Sequence, residues 1–364
     1  MRIIVQTLHF VSIVILCLLV GCASPQTRAP SVSSVAAQKE AMAQKMLVVR
    51  SQLRTQNRLA RIGHQVLVAG TEICSEEVRP AYGFLVLSES AFDKDLSDAV
   101  RAEGFDKSVK VSYLIPGSAA ERSGLMAGDK IKKIGDWEVP QEENDSLEEA
   151  LKKMRPDDDA PQTLVLTVQR NESKLPINVE SDLACNYPVL LGESNDLNAY
   201  ADGENIIVNK GMERFAREDG ELGLVISHEL AHNAMGHISA KKTNILLGGA
   251  VGLLVDVGLA VATAGAYSDS GFTRIGMNVG AGSYSVEFEQ EADYVGMYIL
   301  KRAGYDIAEA PEFWRRMAIE HPESIELRKS HPTTPERFVA LETAIIEIDT
   351  KASAGKPLLP EMMQ

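Results

Sequence analysis

Two histidines one helical turn apart are the first feature of this sequence that could do chemistry. They stand in His228-Glu229-Leu230-Ala231-His232. Residues at i and i+4 project from one face of a helix. Both imidazoles can therefore reach one tetrahedral zinc at ~2.0–2.1 Å. Glu229, directly after the first histidine, can hold a water and accept its proton, the general-base role in peptide hydrolysis. Leu224, Val225, Ile226 and Leu230 supply the apolar remainder of a buried helix.

A catalytic site of this kind needs a third protein ligand and one open position. His237 is the first candidate. It lies nine residues after His228, about half a turn off the ligand face at ~100° per residue, so it cannot join from the same straight helix. The longer metzincin pattern would require Gly and His where Met235 and Ile238 stand. The ligand must come from a second helix, and the acidic start of Glu287-Phe288-Glu289-Gln290-Glu291-Ala292-Asp293 offers one. Spacing does not choose among Glu287, Glu289 and Glu291.

Around these residues the sequence resembles the zinc peptidase family that contains the CAAX prenyl protease and the membrane peptidase HtpX, a gluzincin family, on its periplasmic BepA-like lipoprotein branch. The resemblance rests on Ser227–His237 and on Glu289–Gly296, reading EQEADYVG. It implies one zinc per chain, held by His228, His232 and Glu289, with Asp293 bracing the site and Glu229 as catalytic base. Asn198-Ala199-Tyr200-Ala201 resembles the family's edge strand, which would pair with an extended substrate. His331, in Ser330-His331-Pro332, and Arg337 resemble its C-terminal His-Pro and Arg positions. His331 is then expected at the metal, its water or the reaction oxyanion, and Arg337 behind the ligands. The sequence departs from the family in a long insert between His237 and Glu287.

The elements that must position these groups follow. Residues from about Val35 to Val68 are dense in helix formers, with Met46, Val49, Leu53, Leu59 and Ile62 near helical spacing, and are expected as one long or two short amphipathic helices. Residues 38–80 are taken as the N-terminal helices of the peptidase domain. Residues 81–182 change texture to short β-type runs. Val111–Ile131, reading VSYLIPGSAAERSGLMAGDKI, resembles a PDZ domain, with Leu147–Met154 as groove helix and Tyr82-Gly83-Phe84 as carboxylate loop. Such a module captures an extended chain by strand addition. Residues 183–350 hold the remaining peptidase domain and 351–364 a tail. The expected architecture is α+β: a mainly helical peptidase domain with a small sheet edge, interrupted by a β-rich insertion.

At the N-terminus, Arg2 precedes an apolar run ending in Leu19-Val20-Gly21-Cys22. This resembles a lipoprotein signal (residues 1–21) with Cys22 lipidated and a tether over 22–37. The implied setting is the periplasm, on the outer membrane of a Gram-negative cell. Cys74 and Cys185 then remain as an even pair in an oxidising compartment, where a disulfide persists. It would clamp the two stems of the inserted module. Ile245–Ala266 is almost wholly apolar but carries Asp256 near its middle, which is costly in lipid. A buried helical hairpin or plug is the first expectation there, an interfacial membrane contact the second and a true span the third, with a mobile loop over Ser268–Ser283.

With 51 acidic against 37 basic residues the net charge is −14. That excludes nucleic acid as a partner, whose affinity needs Lys and Arg on phosphates. The functional expectation is an endopeptidase acting on unfolded or misassembled envelope proteins. The competing one is a non-catalytic assembly or quality-control lipoprotein with a latent zinc site.

Overall fold

The computed structural model describes residues 30–74, 77–141, 146–155, 162–241, 286–320 and 335–362, with single positions 243, 246, 253, 254, 322 and 331. The signal segment, Cys22, the Ser268–Ser283 loop and nearly all of the apolar 245–266 stretch lie outside these. Among the described residues no helix is long and apolar enough to cross a membrane. Residues up to Lys45 form one compact unit and Met46–Gln364 a second. In the first, Ser33 Oγ accepts the Ala36 N–H at 3.1 Å and caps a helix that opens at Ser34. The tether expected over 22–37 is therefore helical in its last residues.

The helices are α1 (Ser34–Ala69), α2 (Thr71–Cys74), α3 (Ser97–Ala102), α4 (Ala119–Arg122), α5 (Ser146–Met154), α6 (Lys210–Phe215), α7 (Asp219–Ala234), α8 (Val286–Arg302), α9 (Ala310–Glu320) and α10 (Pro335–Ser353). The strands are β1 (Val78–Ala81), β2 (Phe84–Leu87), β3 (Lys110–Leu114), β4 (Lys130–Ile134), β5 (Trp137–Glu138), β6 (Thr163–Arg170), β7 (Ser173–Glu180), β8 (Asp182–Cys185), β9 (Val189–Gly192), β10 (Ala199–Ala201) and β11 (Ile206–Asn209). The fold is mixed α and β, as the sequence texture implies.

The inserted module is a six-stranded antiparallel sheet ordered β2-β3-β4-β6-β7, with β5 beside β4. Alternation in β6 buries Leu164, Leu166 and Val168. They join Val111, Ile131, Ala150 and Val179 in a core of the module's own. Strand β2 is an edge. The stems of the module, β1 and β8, pair antiparallel from Val78↔Cys185 to Ala81↔Asp182, and Cys74 and Cys185 are joined by a disulfide.

The larger core gathers Ile62 and Val66 of α1, Leu222, Ile226 and Leu230 of α7, and Tyr298 and Ile299 of α8. Gly70 marks where the three parts meet. A Cβ there would stand 2.9 Å from Leu230 Cδ2 and 3.0 Å from Cys185 Sγ, so a side chain would have to push these groups aside. Helix α10 continues past residue 350 to Ser353. The tail then folds back: Lys351 Nζ donates to Leu359 O at 2.9 Å, and Leu358 and Leu359 pack on the core.

Candidate metal centre

Helix α7 carries the two histidines, and its start is held unusually firmly. Glu218 and Glu221 form a reciprocal capping box. Arg316 of α9 donates twice to Glu221, at 2.6 and 3.0 Å. Arg58 of α1 reaches Asp219, Glu213 and the carbonyls of Ala216 and Glu218, all at 3.0 Å or less. Burial would raise the carboxyls of Asp219 and Glu221. The arginines outweigh it and hold both below the usual carboxylate range.

Helix α8 packs directly on α7. A Cβ on Gly296 would lie 3.1 Å from His228 N and 3.2 Å from its Cα, tighter than nine in ten real contacts, so the glycine permits this close spacing of the two helices. That spacing brings Glu289 to the histidines. His228 Nε2 is 3.2 Å from His232 Nε2 and 3.6 Å from Glu289 Oε2. His232 Nε2 is 3.5 Å from Glu289 Oε1. His331 Nδ1 lies 3.0 Å from Glu289 Oε1 and 3.4 Å from His228 Nε2. One ligand atom from each of the four falls within 4.8 Å of the rest. Donors ~2.0–2.1 Å from a tetrahedral ion lie about 3.3 Å apart, so this set fits a zinc-sized cation. Imidazole donors also exclude an all-oxygen magnesium or calcium cage.

Behind the donors sits a buried salt-bridge network. Arg337 donates to Asp293 at 2.7 and 2.8 Å and lies 2.9 Å from Glu289 Oε2. Asp293 Oδ1 is 3.0 Å from His228 Nδ1. Burial alone would drive the proton off His228, but Asp293 and Glu289 outweigh it and raise its pKa to about 10. Burial would likewise raise Glu289, whereas His331 and Arg337 hold it well below the carboxylate range.

Glu229 faces the same space. Its Oε2 accepts the Ala201 N–H at 2.9 Å, and Oε1 is 3.6 Å from His331 Nε2. Strand β10 is the edge of a sheet ordered β10-β11-β9. Asn198 and Asp202 bond inward to Asn209 and Asn205, so by the two-residue period Ala199 and Ala201 turn their backbone groups outward. The hairpin is pinned to α7 by Gly203 N–H donating to Asn233 Oδ1 at 3.0 Å and Asn233 Nδ2 donating to Asn205 O at 3.1 Å.

His237 stays outside the donor set, but it does not continue a straight helix. Helix α7 ends at Ala234, and Gly236 turns the chain at φ +71°. That bend brings His237 Nδ1 to 2.9 Å from His232 Nδ1, while its Nε2 lies 2.9 Å from Glu291 Oε2. Of the three glutamates that spacing left open, Glu289 enters the cluster and Glu291 supports it through His237. The Tyr82-Gly83-Phe84 loop lies apart, against α1: Gly83 adopts φ +78° with His64 and Ser118 beside it.

Residues 175–345 match peptidase family M48, and residues 81–169 match the PDZ domain. The chain is 30% identical over 134 residues to the "Beta-barrel assembly-enhancing protease" of Yersinia pestis, across 35% of this chain and 27% of that protein. It is 25% identical over 152 residues to the "Mitochondrial metalloendopeptidase OMA1" of Schizosaccharomyces pombe, across 41% of this chain and 43% of that protein. A solved HtrA3 PDZ domain with a phage-derived ligand overlaps 29% of this chain and 88% of its own, at 17% identity and a TM-score of 0.22. The donors His228, His232, Glu289 and His331 all lie within the residues that match peptidase family M48. The chain carries a peptidase family M48 domain with a PDZ domain ahead of it, and it spans about a quarter of the Yersinia relative's length.

Proposed function

We propose that the chain is a zinc-dependent endopeptidase that cleaves unfolded or misassembled cell-envelope proteins, anchored through lipid at Cys22 to the periplasmic face of an outer membrane. The observation that carries this is Glu229, a carboxylate facing a His228–His232–Glu289 donor set from beneath an open strand edge. When bound there, zinc supplies Lewis-acid polarisation of the scissile carbonyl and acidifies water.

The rest is done by the protein. His228, His232 and Glu289 hold the ion. Asp293 and Arg337 fix His228 and Glu289, as supporting shells do in metal sites. The outward N–H and C=O of Ala199 and the C=O of Ala201 align an extended substrate by strand pairing. Glu229, held by the Ala201 N–H, takes the proton from the attacking water and delivers it to the departing amine as the C–N bond breaks. The PDZ module captures extended segments, with Tyr82-Gly83-Phe84 receiving a chain end. In this reading 1–21 is a signal, 38–80 and 183–350 form one split peptidase domain, and 81–182 is its insertion.

One observation favours the second reading, a latent site in an assembly factor: His331 completes a four-donor set, whereas a catalytic site keeps a position open. We reconcile the two by assigning His331 to the position that water and substrate must take, so that it leaves when substrate enters. Incubation with unfolded casein separates the readings. Wild type should cut it and Glu229→Gln should not. Intact casein with wild type, at any zinc level and with His331→Ala as well, would leave only the assembly factor.

A further inference from the structure

Beside the β10–β11 turn lies a cavity of about 660 Å³. One wall is the turn itself, Gly203 and Asn205, together with Asn233 and Ile238 just past the metal histidines. The lining also includes two arginines of the inserted module's border: Arg79 on stem strand β1 and Arg155 just after α5. Glu77 and Glu204 also line it, and among the described residues neither forms an ion pair with these arginines.

Among the described residues most arginines are paired with a carboxylate; Arg79 and Arg155, like the surface residues Arg54, Arg214 and Arg217, are not. Arg58, Arg61, Arg122, Arg170, Arg302, Arg316 and Arg337 each have a carboxylate oxygen within 3.0 Å. Arg79 and Arg155 have none among the described residues, in a chain with net charge −14. Arg79 is half-buried, and its guanidinium pKa is lowered by burial and by the like charge of Arg155. Arg155 is exposed and Glu77 and Glu204 line the same space, so the cost of an unpaired charge falls on the half-buried Arg79, and a ligand carboxylate would relieve it. The guanidinium fork matches a carboxylate.

The position indicates whose carboxylate. The cavity begins just beyond Ala201, the last residue of the edge that faces Glu229, and Ile238 in its wall packs on Ala201. A chain paired with β10 runs past Ala201 into it. We infer that Arg79 and Arg155 form a subsite for a carboxylate of the polypeptide substrate, an acidic side chain or the chain end, next to the cleavage cleft. This inference rests on the peptidase reading.

The test is binding by fluorescence anisotropy to the full-length, zinc-loaded Glu229→Gln protein, which holds substrate uncut. The probes are one peptide series with a single Glu moved along a C-amidated chain, its all-Gln counterpart, and the all-Gln chain with a free C-terminus. At low salt, one Glu position or the free end should bind roughly tenfold tighter than the uncharged peptide, about 1.4 kcal/mol. Adding Arg79→Gln and Arg155→Gln should bring that ratio close to one, as should high salt. Whichever acidic probe shows the preference identifies the source. The inference is overturned if no probe is preferred, or if the arginine substitutions weaken charged and uncharged peptides alike. A wild type that cuts nothing would sink the peptidase reading while leaving this binding ratio to be read.

Discussion

Gly296 of α8 lies against the backbone of His228 of α7, where a Cβ would stand 3.1 Å from His228 N and 3.2 Å from its Cα. The metal donors on the two helices are brought together by this contact. Overpacking a tight site costs typically 1–3 kcal/mol. Gly296→Val should therefore lower the unfolding temperature and also weaken zinc binding, since it parts Glu289 from the histidines. Calorimetric melts with and without zinc would check this. An unchanged zinc affinity would show that the helices do not set the donor distances.

The pair Arg337–Asp293 is fully buried and linked by two hydrogen bonds. Removing one partner of such a pair costs about 3–5 kcal/mol because the other charge is stranded. Arg337→Met should show a loss of that order in chemical denaturation. Arg337→Lys keeps the charge but not the fork, and its expected signature is a roughly 10–100-fold weaker zinc affinity. Equal affinity in the lysine variant would reduce Arg337 to a structural role.

His331 stands where an open coordination position is needed. His331→Ala should retain zinc, because three donors remain, and should cleave a short peptide several-fold faster than wild type. Loss of cleavage with zinc retained would make His331 a participant in the reaction.

The start of α7 predicts an acid limit to stability. Glu221 is held below its ordinary value of 4.5 by Arg316, against the opposing effect of burial. A depressed folded-state pKa gives stability that is present above the unfolded value and is lost as pH falls through the folded one. The melting temperature should hold down to about pH 4.5 and decline below it. Glu221→Gln should lower it at neutral pH and flatten the decline. A decline unaffected by the substitution would assign acid sensitivity to other carboxylates.

What could be read from the sequence divides by range. The His228–His232 pair was legible because its geometry is set inside one helix. The PDZ-like module was legible because its turns and alternation are local. Glu289 was singled out from Glu287 and Glu291 only through family resemblance, since the choice depends on how α8 docks at Gly296. The bend at Gly236 that turns His237 toward His232 needs a positive φ that spacing arguments on a straight helix do not contain. The grip of Arg58 on the start of α7 joins residues about 160 apart in the chain, and no local signal announces it. Helix α1 begins at Ser34, inside the expected tether, because Ser33 supplies the cap.

The most direct test is to strip the protein with a chelator, titrate zinc back and follow one defined peptide by mass spectrometry, with metal content measured on the same samples. Cleavage should return in proportion to zinc and reach its maximum at one ion per chain. Glu229→Gln should bind the same single zinc and leave the peptide whole. Cleavage by metal-free protein, or by zinc-loaded Glu229→Gln at the wild-type rate, would contradict the assignment of this cluster as a hydrolytic centre.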